Sequence, residues 1–338
     1  MKKKLFGQTL DELGKTTQQL GLPSFAARQI ADWLYKKRAK TVAEMTNISL
    51  ENRQKLENEF EIGISPPVRV QISADGTKKY LFATEQKNFI EAVYIPDTYR
   101  ATLCVSAQAG CKMACKFCMT GRLGFKANLS ASEILNQICS IPDFETLTNI
   151  VYMGMGEPFD NLENVLKSLE IITADYGFAW SPKRVTVSTI GIIPAITEFL
   201  SKSKCHLAIS LHNPFDSERL QLMPVQKKYH ASQIINELRR YDFSHQQRLS
   251  FEYIMFDGIN DTPRHSQVLA RLLQGLECRV NLIRFHEIPD SDLRPSNDKT
   301  IEKFQQYLNS KNILTTLRVS RGKDILAACG MLSGNSVN

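Results

Sequence analysis

The chain has 338 residues, 43% hydrophobic and 23% charged, with a formal net charge of +7. That balance excludes a disordered or fibrous chain and suits about two domains. No apolar run approaches the roughly 20 residues that cross a bilayer, and Asp11 and Glu12 follow the basic start Met1-Lys2-Lys3-Lys4 too closely for an apolar leader, which predicts a cytoplasmic chain with no membrane partner.

The first 62 residues read as a small helical module. Thr9-Leu10-Asp11-Glu12-Leu13 opens one helix, Ser24 is placed to cap a second running through Trp33 and Tyr35, and Leu50 to Phe60 forms a third. Residues 63–98 change to period two. Val68 to Ile72 alternates, Asp75-Gly76 signals a hairpin, Tyr80 to Ala83 resumes the strand, and Phe89 to Ile95 ends at Pro96. From about residue 99 to 332, strands alternate with helices. Strands are expected at Leu103–Ala107, Ile150–Met153, Arg184–Ser188, His206–Leu211, Leu249–Met255 and Arg279–Phe285. Helices are expected at Ser132–Ile141, Asn164–Ala174, Ile193–Ser201, Ala231–Tyr241 and His265–Gln274. Such alternation makes an α/β fold with a parallel sheet, either open or a partial barrel, whose chemistry gathers at the carboxyl ends of the strands.

Eight cysteines in a chain of this kind are not a disulfide framework. Cys111, Cys115 and Cys118 form a C-x3-C-x2-C cluster in the loop after the first of these strands. Three thiolates hold three irons of a 4Fe–4S cluster and leave the fourth open to an amine and a carboxylate, the pair that S-adenosylmethionine (SAM) offers. The competing reading is a zinc site with Cys104 as fourth ligand, although structural zinc normally uses paired cysteines. Cys139, Cys205 and Cys278 read as packing residues.

The cysteine cluster resembles that of the radical SAM superfamily, and the likeness extends further. Glu91-Ala92-Val93-Tyr94-Ile95-Pro96, Thr102-Leu103-Cys104-Val105-Ser106, Met153-Gly154-Met155-Gly156-Glu157-Pro158, Val187-Ser188-Thr189, Ser210-Leu211-His212 and Ala327-Ala328-Cys329-Gly330 resemble the RlmN/Cfr family of radical SAM RNA methyltransferases in order and separation. The resemblance covers essentially the full chain. It implies a partial (β/α)6 TIM-like barrel with a helical, RNA-contacting N-terminal unit and an antiparallel β-hairpin extension. It also implies methylation of adenine C2 in 23S ribosomal RNA at the peptidyl transferase centre and in transfer RNA anticodon loops.

By the same resemblance, Cys111, Cys115 and Cys118 hold the cluster and two SAM molecules are used per turnover. Cys329 carries a methyl group, Cys104 resolves the protein–RNA bridge through a disulfide, and Glu91 accepts the ring proton. Gly156, Glu157, Ser188, Ser210, Leu211 and His212 contact SAM, and His286 stands where the family commonly has asparagine. A reducing protein such as flavodoxin supplies electrons. Cys104 and Cys329 must then meet at disulfide distance. Lys36-Lys37-Arg38-Ala39-Lys40, beside Trp33 and Tyr35, reads as either an RNA contact or a solvated helix end. Methylation at C8 of the same nucleotide, and a radical SAM reaction on a non-RNA substrate, are the alternatives; the residues common to both branches do not separate C2 from C8.

Overall fold

A computed structural model describes residues 2–245 and 247–334. In the N-terminal module, helix α1 (Leu10–Gln19) starts with the expected capping box, Glu12 N–H donating to Thr9 Oγ1 at 3.3 Å and Thr9 N–H to Glu12 Oε2 at 2.8 Å. Helix α2 (Ala26–Ala31) departs from expectation. Ser24 does not cap it; Phe25 is already in the helical region, and the turn is closed instead by Ala26 N–H on Pro23 O at 2.9 Å. A π-helical turn, Asp32–Lys36, follows, and α3 (Leu50–Glu59) completes the module. Tyr35 is buried, and its hydroxyl donates to Gln8 O at 2.5 Å, docking the start of the chain.

The remaining chain is organised by one ten-stranded sheet. Its antiparallel part is β1 (Arg69–Ile72), β2 (Lys78–Ala83) and β3 (Phe89–Pro96), and β3 pairs antiparallel with β4 (Ala101–Cys104). From β4 the sheet is parallel through β5 (Asn149–Tyr152), β6 (Val185–Thr189), β7 (His206–Ser210), β8 (Leu249–Met255), β9 (Arg279–Arg284) and β10 (Leu314–Arg318). The hairpin extension therefore continues the barrel's own sheet. The six expected strands are present, and β10 adds a seventh beyond them. The strand Leu314-Thr315-Thr316-Leu317-Arg318 has one leucine on each face among polar residues, so its period is inconspicuous.

Helices α4 (Ala131–Cys139), α5 (Leu162–Thr173), α6 (Ile193–Lys202), α7 (Ala231–Leu238) and α8 (Pro263–Leu273) are the five expected crossovers, and α9 (Asp298–Ser310) feeds β10. Their apolar faces and the buried strand residues, such as Leu103, Ile150, Val187, Leu207, Phe251 and Leu282, form one core. No described helix is long and apolar enough to cross a membrane.

A small antiparallel ladder, Gln108–Gly110 with Phe125–Asn128, closes the cysteine loop at its base. Gly110 sits there at φ +73°, and a Cβ on it would lie 1.9 Å from Gly124 O. Gly124 is also left-handed, at φ +69°, but faces open space. Gly110→Ala is therefore expected to destabilise the protein by more than about 3 kcal/mol and Gly124→Ala by only about 1 kcal/mol in chemical denaturation.

Candidate active site

The carboxyl ends of the parallel strands surround a concave cleft. Cys111, Cys115 and Cys118 line it together with Gly156, Glu157, Ser188, Ser210, His212 and Cys329. Each of the strand-end residues arrives there because a parallel strand stops and the chain turns across the barrel mouth. Leu211 and His286 are not brought into this lining. Leu211 is buried in the core, and its carbonyl accepts from Arg219 Nε at 3.0 Å. His286 is half-buried, and its Nε2 bonds Ser320 Oγ at 2.9 Å.

Cys111 and Cys115 are buried, which pushes the Cys111 thiol up to about 12 and raises those of Cys115 and Cys118. Opposing that burial, backbone N–H groups of Met113, Thr120 and Gly121 are directed at the Cys111 and Cys118 sulfurs. Amides aimed at sulfur stabilise thiolates bound to metal. Among the described residues, no three His, Cys, Asp or Glu side chains converge as the ligands of a single ion would. Thiolates that each bind a different iron of one cluster need not converge in that way. Cys104 does not join them; it lines a separate cavity, so the loop lacks the fourth cysteine of a zinc site.

Glu157 lies on the far side of the cleft and is buried. Gly156 precedes it at φ +92°, where a Cβ would lie 2.4 Å from the Gln108 side chain. The Glu157 carboxylate accepts from Phe159 N–H and Ile190 N–H, each at 3.0 Å. Burial nevertheless raises its pKa to about 7, with those donors and Thr189 opposing. His212, in the left-handed region at φ +58°, accepts from Ile254 N–H at its Nδ1, 3.1 Å away. Burial and Arg219 lower it to about 3, so the ring is neutral and its remaining nitrogen, Nε2, carries the proton. Phe117 fixes the ring edge-on, with centroids 4.8 Å apart.

Cys329 stands on an irregular loop after β10 and lines two cavities. One is the cleft. The other runs down the barrel interior and is lined by Cys104, Met153, Arg100, Arg248, Arg279 and Arg318, among others. Cys104 and Cys329 are both free thiols that face this second space. Packing around Cys329 raises its thiol and Arg318 opposes that; Cys104 is likewise raised by burial and lowered by Arg318. Arg318 is held by Glu252, Nε to Oε2 3.3 Å, and its Nη1 lies 3.4 Å from Met153 Sδ.

Glu91 is buried on β3 and is not the outward strand residue its neighbours allow. It lines neither cavity. Its Oε1 lies 3.1 Å from Lys79 Nζ, and its Oε2 accepts from Ser333 N–H at 2.8 Å and Gly334 N–H at 3.0 Å. The basic run of the N-terminal module is partly neutralised: Lys36 and Lys37 share Asp32 at 4.0 and 3.3 Å, and Arg38 pairs with Glu145. Cys205 belongs to the core, and Cys139 and Cys278 pack against it. Two residues of the site escape a reading of the sequence. Glu252, a carboxylate in the otherwise apolar strand β8, is a usable signal; Arg318 lies on the additional strand β10.

Residues 105–266 match the model of the Radical SAM superfamily, and residues 3–62 match that of the Ribosomal RNA large subunit methyltransferase N-terminal domain. A crystal structure of a radical SAM methyltransferase from Sphaerobacter thermophilus superposes with a TM-score of 0.92 at 37% identity, covering 98% of this chain and 100% of that one. The fold and cleft thus define a radical SAM methyltransferase. A probable dual-specificity RNA methyltransferase RlmN from Phocaeicola vulgatus is 57% identical over 97% of this chain and 94% of its own length. The dual-specificity RNA methyltransferase RlmN of Syntrophus aciditrophicus is 44% identical over 97% and 96%. The chain belongs to the RlmN family of radical SAM RNA methyltransferases, which implies a 4Fe–4S cluster and SAM as cofactors.

The raised Glu157 has a consequence for stability. Its pKa is about 7 in the folded chain against 4.5 for an ordinary glutamate, so the folded state holds a proton that the unfolded state releases in this interval. Stability should fall as pH rises from about 4.5 through 7, by on the order of 3 kcal/mol from this group. Comparison of denaturation midpoints across that window should show a flatter profile for Glu157→Gln.

Proposed function

We propose that this protein methylates C2 of an adenosine in 23S ribosomal RNA at the peptidyl transferase centre, and of adenosine in transfer RNA anticodon loops, through a methylated Cys329. The observation that carries this reading is the position of Cys329 in the wall between the cleft of the cluster cysteines and the cavity lined by Cys104. One thiol open to both sides can take a group from a cofactor in the first and deliver it to a base in the second. The relatives named above as dual-specificity RNA methyltransferases support the two RNA classes.

Cys111, Cys115 and Cys118 would hold the cluster, which together with SAM supplies one-electron cleavage to a 5′-deoxyadenosyl radical. Gly156 lets the backbone approach SAM, the Glu157 carboxylate accepts from its ammonium group, Ser188 and Ser210 bond its polar edges, and neutral His212 donates from Nε2. Leu211 would contribute through its backbone alone, and His286 would have to leave Ser320 to take part. Two SAM molecules serve one turnover. Cys329 would take the methyl group of the first by displacement, releasing S-adenosylhomocysteine; loss of a hydrogen atom to the radical would give 5′-deoxyadenosine and a methylene radical whose carbon bonds to adenine C2, and the adduct's odd electron would return to the cluster.

Cys104 then displaces that bridge, forming a disulfide with Cys329 and freeing the methylated base. Arg318, beside both thiols, favours the thiolate each needs. Glu91 accepts the C2 proton. Its oxygens are engaged by Lys79, Ser333 and Gly334, so this role requires the chain after Cys329 to move aside. A reduced protein such as flavodoxin supplies electrons. The enzyme works in the cytoplasm, where its RNA substrates are, without a membrane partner, and the module of residues 1–62 is an accessory RNA contact.

Incubation of the cluster-loaded enzyme with RNA and methyl-deuterated SAM is expected to yield 2-methyladenosine retaining two of the three methyl deuteriums, read by nucleoside mass spectrometry. A product with all three would mean direct polar transfer and sink the scheme; an 8-methyl product would relocate it to the other ring carbon. Cys329→Ala should still cleave SAM but leave RNA unmodified, and Cys104→Ala should accumulate a covalent protein–RNA species visible on a denaturing gel.

A further inference from the structure

The cavity beneath Cys329 has a volume of about 420 Å³ and is lined from Ile95, Asp97 and Thr102 on one side to Thr316, Val319 and Arg321 on the other. Five arginines line it: Arg100, Arg248, Arg279, Arg318 and Arg321. Its one carboxylate among the described lining residues, Asp97, lies 3.8 Å from Arg321, and Arg318 is taken by Glu252. Arg100, Arg248 and Arg279 have no ion-pair partner among the described residues; Arg100 makes only a side-chain bond to Thr102 Oγ1, at 3.1 Å.

These three cations sit together because of strand register. Arg100, Arg248 and Arg279 each stand at the amino end of a strand, β4, β8 and β9, and Ser250 on β8 is level with Arg279. They therefore ring the lower end of the barrel, whereas Cys104 and Arg318 end β4 and β10 above them. Partial burial and mutual repulsion lower the pKa values of Arg100 and Arg248, and His206 among them is held neutral at about 4. Like charges facing one space at this density are unfavourable unless an anion joins them. Arg100, just before β4, and Cys104 at its end both line this cavity and are four residues apart, roughly 13 Å of extended chain, comparable with one nucleotide from its phosphate to the far edge of its base.

We propose that this cavity seats the target nucleotide, with Arg100, Arg248 and Arg279 receiving its phosphodiester at the lower end and Cys104 and Cys329 receiving its base at the upper end. The inference rests on the reading of Cys329 and Cys104 given above and adds the direction from which the nucleotide enters: through the open side of the barrel, away from the cluster. Tyr99 stands at the rim next to Arg100 and is 95% exposed, an uncommitted ring on which an adjacent unpaired base can stack. The basic run of the N-terminal module differs in having two carboxylates, Asp32 and Glu145, set against its four cations.

The test uses the full-length, cluster-loaded protein and a synthetic RNA hairpin with an unpaired target adenosine, titrated at several salt concentrations. Arg248→Gln and Arg279→Gln should each weaken binding about tenfold near 0.1 M salt and reduce the slope of log K against log salt by about 0.7 for each phosphate that is no longer neutralised. Arg248→Lys should recover most of the slope. A hairpin with one neutral methylphosphonate flanking the target adenosine should bind wild type more weakly, yet bind the Arg248→Gln/Arg279→Gln protein no worse than the unmodified hairpin does. RNA-free methyl transfer from SAM to Cys329 monitors the cleft. Binding within twofold of wild type with an unchanged slope would overturn the proposal, as would parallel loss of RNA-free methyl transfer, which marks a structural role. Stabilisation by inorganic phosphate with no effect of the substitutions on RNA would reduce the cavity to a free-anion site and also overturn it. A wild-type protein that self-methylates Cys329 but binds no RNA would instead remove the functional reading beneath it.

Discussion

The Cys329 thiol, which lines both cavities, is carried by a loop with no ladder of its own, and the arrangement of the site depends on where that loop is pinned. Backbone polar groups in such a segment must find partners elsewhere. Met119 N–H reaches Gly330 O at 2.7 Å and Thr120 Oγ1 reaches Leu332 O at 2.7 Å, so the segment after the cluster cysteines sets the height of Cys329 above the cleft. Glu91 gathers the amides of Ser333 and Gly334 from the opposite side. The thiol is thus suspended between the cofactor side and the antiparallel extension, and no regular element of the barrel holds it directly.

Around this thiol, burial works against charge. Glu157 and the cluster cysteines are raised and His212 is lowered, each moved towards its neutral form by removal from water. Backbone donors keep these groups oriented. The lower cavity has the opposite character, since five arginines line it and three of them have no carboxylate partner among the described residues. A boundary between two such environments is maintained by the pair Glu252–Arg318, one member lining each side.

Much of this was legible in the sequence because it follows local rules. The Thr9–Glu12 capping box, the Asp75-Gly76 turn and the strand–helix alternation depend on neighbouring residues, and the cysteine spacing places three thiols in one loop regardless of the remainder. What was illegible depends on contacts distant in sequence. Strand β10 has little apolar period, which hides Arg318. The entry of α2 depends on a Pro23 turn instead of a side-chain cap at Ser24. Glu91 on an alternating strand reads as surface, and only the tail folding back over it, more than 240 residues later, buries its carboxylate. Likewise, the lysines near Trp33 look cationic in sequence, whereas Asp32 and Glu145 compensate half of that run in space.

The hairpin turn between β1 and β2 carries a consequence of its own. Ser73 Oγ donates to Asp324 Oδ1 at 2.5 Å, Ala74 N–H to Asp324 Oδ2 at 3.1 Å, and Gly322 N–H to Asp75 Oδ2 at 3.0 Å. Thr77 leaves no room for a side chain at Gly322, where a Cβ would come within 2.9 Å. Exposed turns ordinarily drift in length, because an added residue costs little loop entropy and disturbs nothing beyond the loop. This one is a gauge block. An insertion between Ser73 and Thr77 would leave the cluster loop and every SAM-facing strand end intact, yet it would shift the segment leading into Cys329, so the length of a surface hairpin is constrained by a thiol about 250 residues away.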